Sequence, residues 1–120
     1  MALLITVAGI PMDRAVGSDT SVYVGAFTRD YEALMGKDPE LANLYRATGV
    51  GTSMLANRMS WFYNFSGPSM VLDTACSSSL TALHIACQSL RSRESSMVSL
   101  RSFCDALKPS LQVEGTRLWM

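Results

Sequence analysis

Apolar residues along this chain fall into short runs and spaced stripes, parted by glycine, proline and small polar residues. Residues 1–10 are apolar up to Pro11, a run too short for periodicity to separate strand from helix. After the Gly17-Ser18-Asp19 turn, residues 20–26 (Thr-Ser-Val-Tyr-Val-Gly-Ala) predict a strand apolar enough to be buried on both faces. Gly25 inside it predicts a close backbone approach or a bulge. Residues 29–35 predict a short helix stopped by Gly36. Asp38-Pro39-Glu40 carries the marks of a helix start: a capping carboxylate, proline at the first helical position and an acid in the first turn. Leu41, Leu44 and Tyr45 form the stripe of that helix, and residues 48–52 (Thr-Gly-Val-Gly-Thr) read as a loop.

Helical spacing returns over residues 53–63, with Leu55, Met59 and Phe62 on one face and Arg58 on another. A turn at residues 64–68 leads into Met70-Val71-Leu72, a short buried strand. A tight run of small residues follows. Leu80, Leu83, Cys87 and Leu90 then recur at helical spacing, and the Leu80/Leu83/Leu90 face is expected to lie on the sheet. Beyond Met97 the spacing of Leu100, Phe103, Cys104 and Leu107 predicts an amphipathic helix ending at Lys108-Pro109. The order β, α, α, β, α with buried strands predicts an α/β layered architecture.

Composition narrows the partners. A length of 120 residues makes one domain at most, and 48% hydrophobic with 17% charged residues describes an ordinary globular chain. Ten basic and ten acidic residues cancel, with no polybasic run to suit nucleic acid or an anionic membrane. The apolar start is too short to span a bilayer, and the first charge is Asp13, so the basic opening of a signal peptide is missing. Three cysteines, Cys76, Cys87 and Cys104, give an odd count without C-x-x-C spacing. That pattern argues against a disulfide framework or a zinc site and suits a reducing, cytoplasmic setting. Gly49-Val50-Gly51 has Met54 where a dinucleotide fingerprint needs its third glycine, and no strand precedes it.

The candidate chemistry sits at one point. Val71-Leu72-Asp73-Thr74-Ala75-Cys76-Ser77-Ser78-Ser79-Leu80 reads as strand, sharp turn and helix, with Cys76 at the turn. A thiol at a helix N-terminus faces unpaired backbone N–H groups and the positive end of the macrodipole. Both favour the thiolate, and reactive cysteines so placed have pKa values of roughly 3.5–7.5. The same N–H groups suit the oxyanion formed when a thiolate attacks an acyl carbonyl. Small neighbours (Ala75, Ser77, Ser78) leave room for a substrate beside the sulfur. Cys87 is expected in the core. His84, the sole histidine, lies about 12 Å further along the helix by rise alone, too far to serve Cys76 as a base.

These residues also carry a resemblance. Asp73-Thr74-Ala75-Cys76-Ser77-Ser78-Ser79-Leu80, followed by Ala82-Leu83-His84, resembles the nucleophile motif of β-ketoacyl synthases, closest to the ketosynthase domains of fungal iterative type I polyketide synthases. Val22-Tyr23-Val24-Gly25, Asp30-Tyr31, Tyr45, Thr48-Gly49, Ala56-Asn57-Arg58-Met59-Ser60 and Gly67-Pro68-Ser69 fit the same family, so the resemblance runs over residues 8–97. Residues 1–7 and 98–120 are unmatched flanks.

The resemblance implies a partial thiolase-like fold, an incomplete layered sheet with helices. It also implies a decarboxylative Claisen condensation in polyketide or fatty-acid-type biosynthesis, with Cys76 as the acyl-accepting nucleophile. Acyl and malonyl groups would arrive on the phosphopantetheine arm of an acyl carrier protein, with no cofactor or metal bound directly. The parent family acts as a homodimer, and the neighbourhood of Trp61-Phe62-Tyr63 and Phe65 lies near its subunit interface. Two downstream histidines that support decarboxylation in the family have no counterpart in these 120 residues. The competing expectation is therefore an inactive remnant or an interaction fragment, its ketosynthase core flanked by unrelated sequence.

Overall fold

The computed structural model describes residues 10–37, 45–102, 112–114 and 117–119. The apolar start before Ile10, the expected helix start at Asp38-Pro39-Glu40 with Leu41 and Leu44, and Phe103, Cys104 and Leu107 lie outside the described residues. Helix α1 (Met12–Ala15) follows Pro11, whose carbonyl accepts the N–H groups of Arg14 and Ala15 at 3.0 and 3.3 Å. Strand β1 (Thr20–Gly25), helices α2 (Asp30–Gly36), α3 (Arg46–Val50) and α4 (Met54–Tyr63), and strand β2 (Ser69–Leu72) come next. Helix α5 (Ser78–Arg91) and strands β3 (Met97–Ser102), β4 (Gln112–Glu114) and β5 (Arg117–Trp119) complete the order.

The strands form one sheet in the order β2-β1-β3-β4-β5. β1 lies between two parallel neighbours, with Val22 opposite Ser69 on one side and Ser99 on the other. β4 pairs with β3, and β5 with β4, antiparallel. A strand hemmed in on both edges and both faces has no place for a charge, and every residue from Thr20 to Gly25 is buried. Alternate residues of β1 feed opposite layers, as the period-two pleat requires. Val22 and Val24 pack with Ala56, Leu55, Met59, Phe65 and Val71 beneath α4. Tyr23 packs with Ala82, Ala86, Val98 and Leu100 beneath α5. Burying each valine side chain is worth roughly 1.5–3 kcal/mol, so β1 anchors both layers.

Besides the Met70-Val71-Leu72 strand, which forms the sheet edge with Met70 41% exposed and is not buried, three readings of the sequence need correction. Leu100 belongs to strand β3, which pairs with β1 from Thr20↔Met97 to Gly25↔Ser102, and not to an amphipathic helix. Val98 and Leu100 share one face of that strand with Ser99 and Arg101 alternating between them, a period of two that the sparser helical pattern masked. Residues 48–50 of the expected Thr48-to-Thr52 loop belong to helix α3, which closes at Gly51, whose N–H donates to the Ala47 carbonyl at 3.1 Å.

The third correction concerns α5. Its buried residues are Ser78, Ala82, Ala86 and Ser89, while Leu80 is 68% exposed. Leu83 and Leu90 are only partly buried at the edge of the core. Small side chains line the sheet because the helix lies too close to β1 for large ones. Helix α4 ends as its sequence suggests, with Asn64 in the left-handed conformation (φ 53°) and the Phe65 N–H donating back to Ser60 at 2.8 Å.

Candidate active site

The turn between β2 and α5 places Cys76 at the carboxyl end of the parallel strands, where ligands of open α/β sheets gather. Cys76 is exposed and free. It stands two residues before α5, with Ser77 between them as the cap residue. The residue before it, Ala75, takes a left-handed backbone (φ 54°), a conformation that costs an L-residue roughly 1–2 kcal/mol. That bend turns the chain from strand to helix within a few residues.

Hydrogen bonds hold the bend from inside. The Ala75 N–H donates to the Asp73 carboxylate at 3.1 Å, an Asx turn that engages the acid beside the thiol. The Ser77 hydroxyl donates to the Thr74 carbonyl at 2.8 Å, with Thr74 Oγ1 at 3.0 Å. Thr74 Oγ1 in turn meets Thr81 Oγ1, one turn into the helix, at 3.0 Å. Ser78 is the buried member: its Oγ accepts the Thr74 N–H at 2.8 Å and donates to Ala75 O at 2.6 Å, with Ala26 O at 3.1 Å as a second acceptor. On the other side of the helix start, the Ala26 N–H donates to the Leu72 carbonyl at 2.9 Å, locking the ends of β1 and β2 together.

Two donors expected to be free at the helix start are engaged. The Ser77 and Ser78 N–H groups donate to Thr74 O and Ala75 O at 3.3 and 3.1 Å. The turn consumes them because it tightens into the helix over Ser77. His84 is exposed on the outer face of α5. There it lines an open groove of about 520 Å³ with Leu80, Thr81, Leu83, Cys87 and Arg91. Cys87, expected in the core, is half-buried on the rim of that groove. Among the described residues no cluster of three or more His, Cys, Asp or Glu could hold a metal ion.

The arrangement is an exposed thiol on a strained strand-to-helix bend with small residues around it. A profile of the β-ketoacyl synthase N-terminal domain matches residues 2–99. The chain belongs to the β-ketoacyl synthase family.

Similarity to other ketosynthases extends this. The chain is 49% identical over 113 residues to the highly reducing polyketide synthase Preu1 of Preussia isomera, spanning 94% of this chain and 5% of that protein. It is 56% identical over 88 residues to the highly reducing polyketide synthase calA of Penicillium decumbens, which is 73% of this chain and 3% of the relative. The ketosynthase from module 6 of the bacillaene synthase of Bacillus subtilis 168 superposes with a TM-score of 0.67 at 28% identity. That likeness covers 85% of this chain and 16% of the bacillaene ketosynthase. The fold is thus a partial thiolase-like α/β fold, and the chain spans a small part of the length of the ketosynthases it matches.

Two features of the site were not legible in the sequence. Ser78 reads there as one more small neighbour of the cysteine, and Ala75 carries no mark of its left-handed backbone. The hint for Ser78 was the periodicity of small residues: Ser78, Ala82, Ala86 and Ser89 fall on one helix face.

Proposed function

We propose that this chain supplies the acyl-accepting half of a ketosynthase reaction in polyketide or fatty-acid-type biosynthesis, with Cys76 as nucleophile. The single observation behind this reading is the exposed Cys76 thiol on the bend between β2 and α5, within the family's own motif. The Cys76 sulfur attacks the carbonyl carbon of an acyl thioester. The C–S bond to Cys76 forms, the carbonyl π pair moves onto oxygen, and the oxyanion is met by the backbone N–H of Cys76. Collapse re-forms the carbonyl and expels the pantetheine thiolate, which takes up the proton lost by Cys76. An acyl-enzyme thioester remains.

The acyl donor in this reading is the phosphopantetheine arm of an acyl carrier protein, and no cofactor is bound directly. The second half, decarboxylation of a malonyl thioester and attack of its carbanion on the acyl-cysteine, rests in the family on two histidines. The 120 residues hold one histidine, His84, which is about two helical turns from Cys76. Losing a positioned acid–base group costs about 10²–10⁴ in rate. The setting is the cytoplasm, where reducing conditions keep the thiol free. Among the described residues no helix is long and apolar enough to cross a membrane.

The test supplies acyl-loaded and malonyl-loaded carrier protein together. Labelled acyl group on the protein without release of carbon dioxide is the expected result. Absence of protein-bound acyl group overturns the reading, and carbon dioxide release by this chain alone overturns the division into halves.

A second reading has its own observation. Trp61 is 83% exposed and Phe62 67% on α4, Met70 is 41% exposed, and β2 is an edge strand of the sheet. This surface would pair the chain with a second ketosynthase copy, in keeping with a homodimer. Co-purification with a full-length ketosynthase, lost on replacing Trp61 and Phe62 by serine, is the expected outcome; retention after that replacement counts against it.

A further inference from the structure

We infer that Ser78 is a positioning residue, its hydroxyl tying the bend that carries Cys76 to the end of β1. The inference rests on Cys76 being the acyl-accepting nucleophile, and it adds what holds that nucleophile in place.

Ser78 occupies the first position of the buried face of α5, where the next two positions are Ala82 and Ala86. Packing alone would be met by alanine there. The serine is 4% exposed, and its hydroxyl has three partners, two in the bend itself and one at the end of β1. It accepts the N–H of Thr74, two residues before Cys76, and donates to Ala75 O, the residue just before it. Ala26 O, its third partner, belongs to the residue that follows β1, 52 positions away in sequence. One oxygen thus joins both arms of the bend to the central strand.

The join has a purpose that stability does not explain. Ala75 is left-handed and would relax toward ordinary backbone if released. With the hydroxyl removed, the part-buried Thr74 N–H loses its acceptor, and the bend must open to let water reach it. Opening the bend moves the sulfur relative to the donor that meets the oxyanion. The expected consequence is a slower acyl-transfer step at unchanged substrate binding, because a misplacement of about 1 Å at a reacting group costs up to ~10²-fold in rate.

The experiment uses the full 120-residue chain, an acyl-pantetheine thioester as donor, and three forms: parent, Ser78→Ala and Ser78→Thr. Saturating rate and half-saturating concentration are measured for acylation of Cys76, with iodoacetamide labelling of the same thiol as a control that needs no oxyanion. Ser78→Ala is expected to lower the saturating rate by about 10-fold or more while the half-saturating concentration and iodoacetamide labelling stay within about two-fold. Ser78→Thr, which keeps the hydroxyl, is expected to recover most of the rate. A Ser78→Ala protein that acylates within about two-fold of the parent overturns the inference, as does a folded Ser78→Thr that recovers nothing.

Hydrogen exchange at the Thr74 amide needs no variant and no acylation. Protection in the parent chain is expected, and exchange at the rate of an unstructured amide overturns the tether. A protected Thr74 in a chain that takes no acyl group on Cys76 leaves the tether standing and removes the proposed function, so the two fail separately.

Discussion

A Cβ placed on Gly25 would stand 2.8 Å from the carbonyl carbon and oxygen of Ser78, closer than side-chain carbons come to backbone. Strand β1 and helix α5 therefore meet main chain to main chain, directly beneath the bend that carries Cys76. Gly25→Ala must push the helix start off the sheet, at the roughly 1–3 kcal/mol that overpacking costs. A urea-unfolding midpoint lowered accordingly, with the m-value unchanged, is the expected result.

The inner face of α5 gives a matched pair of outcomes. Ala82 is fully buried against β1 and Leu80 is 68% exposed. Ala82→Leu is expected to cost about 1–3 kcal/mol. Leu80→Ala, which deletes the larger side chain, should change stability by no more than about 0.5 kcal/mol. Equilibrium unfolding of both variants checks this, and a reversed order would place the large residues on the sheet instead.

The same substitution should act with opposite sign at two alanines. Ala75→Gly relieves a left-handed residue (φ 54°), a gain of roughly 1–2 kcal/mol set against the 0.4–1 kcal/mol of extra freedom glycine has when unfolded. The net expected change is a small rise in stability. Ala86→Gly, in the interior of α5, loses about 1 kcal/mol of helix propensity and a buried methyl besides. Thermal melts of the two proteins should move in opposite directions.

Strand β3 is tested at Leu100, which is buried against α5 in the cluster around Tyr23. Leu100→Ala is expected to cost about 2–5 kcal/mol, the range for a leucine deleted from a core. Chemical denaturation measures it directly. A loss under about 0.5 kcal/mol would mean that this residue lies on a solvated face.

How much of this was written in the sequence varies with the element. The central strand was legible because Val22, Tyr23 and Val24 leave no polar face. The close approach at Gly25 followed from a lone glycine inside a strand. Helix α4 was legible from Leu55, Met59 and Phe62, although Phe62 is 67% exposed, and its end from the turn residues after Tyr63. The place of Cys76 between strand and helix was legible, since it lies where a strand gives way to small residues and then to helical spacing.

The misreadings of α5 and β3 share a cause. Hydrophobic periodicity weighs large side chains, and the faces that matter most here are built from small ones. On α5 the leucines drew the reading to one face, while Ser78, Ala82 and Ala86 form the contact with β1. In β3 the alternating serines and arginine hid a strand whose burial is set by its parallel pairing with β1. The Ser78 tether was hidden for a related reason: its partner Ala26 is distant in sequence, and local spacing carries no trace of it.

The central claim is that Cys76 is the residue that takes up an acyl group, and site-resolved acylation tests it most directly. The chain is incubated at neutral pH with an acyl-pantetheine thioester, digested, and each cysteine-bearing peptide weighed. The account predicts a hydroxylamine-labile acyl adduct on the Cys76 peptide, with Cys87 and Cys104 unmodified and no adduct in Cys76→Ala. Equal acylation of all three cysteines, or none at Cys76, would contradict it.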